Sequence, residues 1–221
     1  MIIFQIFKLV MENSWVDFLF GPYLAYSNAQ IIIECTAVFF GIASVLYSRI
    51  NNILVYPTGL ISTALYVYLL WQFELLGDML INAYYFIMSI YGWYYWTRKR
   101  NGQIAHPVTR TLPKERQQAF FLFFATLFLI ALVYTFFDKW NGITALVDTF
   151  TTGLFFVGMW LMARRKIEHW LCWIVGNIIS IPLYFYKGLT LSSLQYAIFT
   201  VLAILGYWQW KKHYLSKEVI A

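Results

Sequence analysis

Residues 92–96 read GWYYW, and 114 positions later residues 206–210 read GYWQW. Each closes a long apolar run. Other features recur around them in the same order. Ile50-Asn51-Asn52 opens one apolar run much as Ile167-Glu168-His169 opens another, and both of those runs carry a proline, Pro57 and Pro182. Glu34 and Asp148, the lone acids of two further runs, are also 114 residues apart. Each match is modest, but their shared order marks a duplicated unit of three helices.

The composition says where those helices reside. Hydrophobic residues make up 61% of the 221-residue chain and charged residues 12%, with a mean hydropathy of +0.63. Soluble domains have about half their residues apolar and about a quarter charged, so this is an integral membrane protein. Seven spans of about 20 apolar residues can be drawn, over 30–48, 53–71, 75–96, 119–137, 142–163, 167–187 and 190–210. The expected fold is all-α. The first repeat covers 30–96, a linker span 119–137 and the second repeat 142–210, a 3+1+3 arrangement. A three-span unit changes sides, so the odd linker span restores the orientation of the second copy. The repeats are then parallel, and in such carriers the substrate site lies near the midplane between them.

The net charge of +6 is distributed by loop. Thirteen of the sixteen cations fall on one side, in the 97–118 loop, the 211–221 tail and the turns at Arg49 and Arg164-Arg165-Lys166; only Lys8, Lys139 and Lys187 fall on the other. The positive-inside rule puts that side in the cytoplasm and the N-terminus outside. The charge is spent on orientation, so no nucleic acid is expected. Residues 1–20 place Phe4, Phe7, Met11, Trp15 and Phe18 on one helical face, an amphipathic helix in the outer interface.

Several classes fall away. Cys35 and Cys172 sit inside spans, and His106, His169 and His213 have no ligand spacing, so no metal site is expected. No Walker loop, GxSxG elbow or HExxH helix is present, and no nucleophile–base pair stands out. The chain reads as neither an enzyme nor a cofactor protein.

The stretch EHWLCWIVGN, 168–177, carries the sharpest candidates. Trp170, Trp173 and Asn177 are spaced i, i+3 and i+7, one stripe of a helix. Trp170 is either an interface anchor or part of a site. Asn177 lies about 10 Å further along, where an amide faces either a cavity or a partner helix. Asn82 and Gln195 would serve from other helices. Glu34 and Asp148 are intramembrane acids, which face the interior; they are electrostatic partners for a cation, structural hydrogen bonds or proton sites. Thr149 and Thr152 either line the same cavity as Asp148 or bond back to their own helix. Pro57 and Pro182 are candidate hinges or static kinks.

From about residue 30 onward the chain resembles the PnuC family of bacterial vitamin transporters. The resemblance rests on Trp170-x-x-Trp173-x-x-x-Asn177 after RRKIEHW, with Ile33-Glu34, Asp148 and Tyr91-Gly92-Trp93-Tyr94-x-Trp96 in support. It implies a SWEET-like fold, a homotrimer in the bacterial inner membrane, and facilitated diffusion of nicotinamide riboside. Alternating access carries the nucleoside in, and cytoplasmic phosphorylation traps it. The substrate's flat pyridinium would stack on an indole, while Asn177, Asn82 and Gln195 would meet its carboxamide and ribose. Asn82 stands where several nicotinamide riboside carriers have Gln, one methylene longer. Thiamine, also a flat cation, is the nearest alternative substrate, and a SWEET-type sugar a more distant one.

Overall fold

The computed structural model describes residues 26–73, 76–100, 102–140, 142–186 and 190–218. The proposed interfacial helix over 1–20 lies outside the described residues. Seven helices follow one another: α1 Asn28–Arg49, α2 Val55–Gln72, α3 Leu76–Thr97, α4 Pro113–Phe136, α5 Ile143–Ala163, α6 His169–Tyr186 and α7 Thr190–Glu218. Between α3 and α4, β1 (Lys99–Arg100) and β2 (Gln103–Ile104) form a two-stranded antiparallel ribbon, with Arg100 opposite Gln103. The bundle is therefore helical apart from this ribbon, which the all-α expectation lacked.

Local chemistry sets the ends. The Ser27 hydroxyl accepts from the Gln30 backbone N–H, and the Gln30 side-chain Oε1 accepts from the Ser27 N–H, a capping box that starts α1. α4 begins at Pro113, six residues before the apolar run. Proline suits the first helical turn, and the Glu115 carboxylate accepts the Leu112 N–H at 2.9 Å. α7 likewise runs on through the basic segment to Glu218.

The 114-residue offset recurs in the element boundaries. The starts of α2 and α6 (Val55, His169) are that far apart, as are those of α3 and α7 (Leu76, Thr190), and so are the ends of α1 and α5 (Arg49, Ala163). Just past those last ends, Asn51 and Arg165 share a left-handed backbone, with φ of 54° and 56°. The left-handed region costs arginine more than asparagine. Arg165 is held there by its guanidinium, which donates to the His106 carbonyl at 2.9 Å and lies 4.2 Å above the Trp96 ring.

α2 packs on α1 and α3, α6 packs on α5 and α7, and the two sets meet through α3 against α5 and α1 against α7. α4 packs chiefly on α5. By length and composition α1, α4 and α5 suffice to cross a membrane; α2, α3 and α6 are diluted by tyrosine, tryptophan and small polar residues. Phe121, Phe128 and Phe136 of α4 are exposed, as a surface meeting lipid requires. The prolines differ. Pro57 is the third residue of α2, where an N–H has no helical acceptor, so it costs no hydrogen bond. Pro182 is well inside α6 and does remove one.

Candidate functional site

Mid-bundle, rings from four helices form a continuous set. Trp173 of α6 stacks on Phe155 of α5 at 5.3 Å and 24°, and meets Tyr85 of α3 edge-on at 6.0 Å. Phe155 lies parallel to Tyr196 of α7, 6.2 Å away. Tyr84 stacks on Phe156 at 3.8 Å and 3°, and its hydroxyl donates to the Phe156 carbonyl at 3.0 Å. Asn177 is buried one turn beyond Trp173 on the same helix.

Glycines make room for these rings. A Cβ on Gly176 would overlap Phe155, and one on Gly158 would come within 3.3 Å of Trp173 Cε2. The places 114 residues earlier hold small residues only. Gly41, Ser44, Gly59 and Ser62 stand where Phe155, Gly158, Trp173 and Gly176 stand later. There the helices close directly: the Ser62 hydroxyl donates to the Ala37 carbonyl, and the Ser44 hydroxyl to the Val55 carbonyl, each at 2.8 Å. One helix pair is sealed by serine and glycine, the other propped by large rings. The Trp173–Phe155 stack at the centre of the site thus stands in one half of the bundle, at positions the other half keeps as glycine, and Tyr84 and Tyr85 join it from α3 of that other half.

Toward the ribbon, a second aromatic layer is fully buried. The Trp96 indole donates to the Ala163 carbonyl at the end of α5 (3.1 Å), and the Trp210 indole to the Ser48 carbonyl near the end of α1 (2.8 Å). The Ser48 hydroxyl touches the Met162 sulfur at 3.5 Å. Each indole thus ties the last helix of one half to the first helix of the other. Tyr56 lies over Gly92 and Trp170 over Gly206, again 114 apart, so closely that either glycine would clash as alanine. His169 fills the space between Trp170 and Trp210.

The 105–112 segment straps this end. Thr109 and Lys166 form a short parallel bridge, and the Glu168 carboxylate accepts the Thr111 N–H at 3.0 Å. Glu115 pairs with Lys166 at 2.8 Å and Arg164 at 3.4 Å. His106 stacks on Tyr95 at 3.7 Å. Partial burial, together with Arg165, Arg98, Arg164 and Lys166, holds its imidazole below the usual range.

At the opposite end lie the acids. Asp78 and Asp148 both act electrostatically on Tyr134, Tyr184 and Tyr196, and Glu34 acts on Tyr66. The bundle therefore grades from a cationic end, through rings, to an end that holds carboxylates.

A profile described as "Nicotinamide mononucleotide transporter" matches residues 31–212. The chain belongs to the nicotinamide mononucleotide transporter family. Among family relatives, the nicotinamide riboside transporter PnuC of Escherichia coli (strain K12) is 25% identical over 201 residues, covering 80% of this chain and 84% of that protein. PnuC of Neisseria mucosa is 27% identical over 197 residues (84% and 74%). The riboflavin/roseoflavin transporter RibM of Streptomyces davaonensis is 25% identical over 144 residues (62% and 65%). A crystal structure of the vitamin B3 transporter PnuC shares the fold, with a TM-score of 0.63 at 23% identity, covering 84% of this chain and 83% of that one. As a member of this family the chain is a membrane protein.

The sequence candidates divide among these tiers. Trp173 and Asn177 are mid-bundle, and Thr152 is buried one turn from Phe155 and Phe156 on α5. Trp170 is in the ribbon-end core, only 2% exposed, so it is no interface anchor, and Trp173, one turn further along α6, packs against that same core. Asn82 donates back to the Asp78 carbonyl of its own helix at 3.0 Å, and Thr149 to Ala145 at 2.7 Å. Gln195 is half-buried beside Tyr196, while Glu34 and Asp148 are toward the acidic end. Tyr84, Tyr85, Phe155, Phe156, Tyr196 and Asp78 were not anticipated. The available signal was helical spacing: Tyr85 is three residues after Asn82, and Phe155 and Phe156 are three and four after Thr152.

Proposed function

We propose that this chain imports nicotinamide riboside across a bacterial inner membrane by facilitated diffusion with alternating access. The observation that carries the reading is the Trp173–Phe155 stack with Asn177 one turn further, in a chain whose named relatives are largely nicotinamide riboside transporters. Indole and phenyl faces attract a flat pyridinium through the ring quadrupole, by about 2 kcal/mol when water is excluded. Asn177 supplies both a donor and an acceptor for a carboxamide or ribose, with Thr152, Asn82 and Gln195 as further polar partners. Glu34 and Asp148, joined by Asp78, lower the potential on the outer side and draw a cation inward.

In this reading all seven helices span, α1–α3 and α5–α7 are parallel repeats, and α4 is the linker. The boundaries and left-handed residues 114 apart support it. The N-terminus is outside and the ribbon end cytoplasmic. The crossed Trp96 and Trp210 bonds close the cytoplasmic end, and Pro182 lets α6 bend when that end opens. Pro57 is the weaker hinge, since it removes no helical bond. Phosphorylation inside the cell traps the product, and three copies assemble as the family resemblance implies. RibM favours a second reading, another flat vitamin on the same scaffold, with thiamine or riboflavin as substrate. Uptake of labelled nicotinamide riboside into proteoliposomes, challenged with unlabelled nicotinamide riboside, thiamine and riboflavin, separates the two. The first competitor alone should suppress uptake; suppression by thiamine or riboflavin at equal concentration would transfer the assignment.

A further inference from the structure

α3 and α4 both pack on α5 but scarcely on each other, and the gap between them is a cleft of about 330 Å³. Trp160 and Arg164 of the α5 end form its floor, Tyr84 and Met88 one wall, and Gln118 and Leu122 the other. On α4, Glu115, Gln118 and Leu122 share one face, passing from acid to amide to alkyl over two turns. The cleft is therefore polar only at its ribbon-end mouth. Its walls adjoin exposed apolar side chains of both helices, Ile87 on α3 and Phe121 on α4.

Positive charge at the mouth exceeds its partners. Arg164 lies 4.9 Å above the Trp160 ring and donates to Gln118 at 3.3 Å. Its carboxylate partner, Glu115, is shared with Lys166, which sits closer. The Nε of Arg164 is buried without an acceptor among the described residues. Lys114 lies one turn before Gln118 on α4. A buried guanidinium donor without an acceptor is costly unless an acceptor arrives.

We propose that this cleft binds one anionic phospholipid, its phosphate on Arg164 and Gln118 and an acyl chain between Met88 and Leu122. The apolar walls select lipid over a free anion: inorganic phosphate satisfies the mouth but leaves the rest of the cleft empty. Basic clefts between spans at the cytoplasmic face suit such headgroups. The lipid would wedge α3 against α4 and brace α5, which carries Phe155. This site is independent of the substrate and is read by binding alone.

The test is native mass spectrometry of the detergent-purified full chain, titrated with phosphatidylglycerol or phosphatidylcholine. One phosphatidylglycerol should be retained about tenfold more tightly than phosphatidylcholine, a preference two nearby cations can supply. Arg164→Gln should abolish that preference. Leu122→Trp fills the cleft without touching the charges and should also lower retention, which keeps the test alive if the arginine variant misfolds. Lys212→Gln, a distant cation, should change nothing. Equal retention of both lipids would overturn the proposal, as would full retention in Leu122→Trp. So would displacement of the lipid by inorganic phosphate at equal concentration, which would assign a free-anion site.

Discussion

Replacing Trp210 with phenylalanine separates a gate from a static core. Its indole N–H donates to the Ser48 carbonyl at 2.8 Å, and the side chain is 1% exposed. That carbonyl also accepts the Asn51 N–H at 3.0 Å, so the substitution orphans nothing. The loss is one hydrogen bond, about 1 kcal/mol net, plus a small void. If the bond exists only while the ribbon end is closed, the open fraction rises about fivefold. Trp96→Phe removes the bond to the buried Ala163 carbonyl and should act in the same direction, by at least as much. The rings are 5.8 Å apart, so the double variant should fall above about fivefold but short of the simple product of about twenty-five-fold. Cys172 reports the opening, because it lies beside Trp173 with its Cβ facing Gly158. In a Cys35→Ser background, its labelling by an impermeant maleimide applied from the ribbon side should accelerate by these factors. Unchanged labelling in both single variants and the double, with folding intact, would refute the gating role.

Other perturbations have equally definite outcomes. Gly92→Ala and Gly206→Ala each drive a methyl into a buried ring, Tyr56 or Trp170. Both should cost about 1–3 kcal/mol by thermal unfolding, and a marked difference between them would break the equivalence of the two packing sites. Glu115→Gln leaves Lys166 and Arg164 without their carboxylate, with side chains 9% and 26% exposed. Unfolding stability should fall by about 2–3 kcal/mol, at the lower end for buried pairs because Arg164 reaches water. His106 is held below its usual pKa by partial burial and by Arg165, Arg98, Arg164 and Lys166. The unfolded chain therefore takes up this proton at higher pH than the folded chain does. Stability should be level above about pH 6.5 and decline as pH falls below it; thermal unfolding across that window should show a shallower decline in His106→Gln.

Much of this architecture can be read from residue order, because a bilayer leaves the chain few options. The seven apolar runs match the seven helices, and GWYYW with GYWQW announced the offset that the helix ends repeat. The overruns at Pro113 and Glu218 were missed because hydropathy marks where lipid would begin, not where capping and charge pairing extend a helix. Trp173 and Asn177 were legible because a polar or indole stripe is unusual in an apolar run. Their neighbours were not: in a chain where 21% of residues are aromatic, Tyr85 and Phe155 look no different from the lipid-facing Phe121. Only the glycine opposite Phe155, Gly176, marks that ring as pointing inward, and that pairing spans two helices. Trp170 shares the stripe with Trp173, yet Gly206 draws it into the core.

The most direct measurement is uptake of labelled nicotinamide riboside into proteoliposomes by the wild-type chain, Trp173→Ala, Asn177→Ala and the double variant. Loss of the stacking face should raise the half-saturating concentration about thirtyfold in Trp173→Ala, the equivalent of about 2 kcal/mol. Loss of the buried amide should weaken Asn177→Ala by about 1 kcal/mol or more, and the double variant should show almost no uptake. Wild-type uptake by a folded double variant would contradict the site.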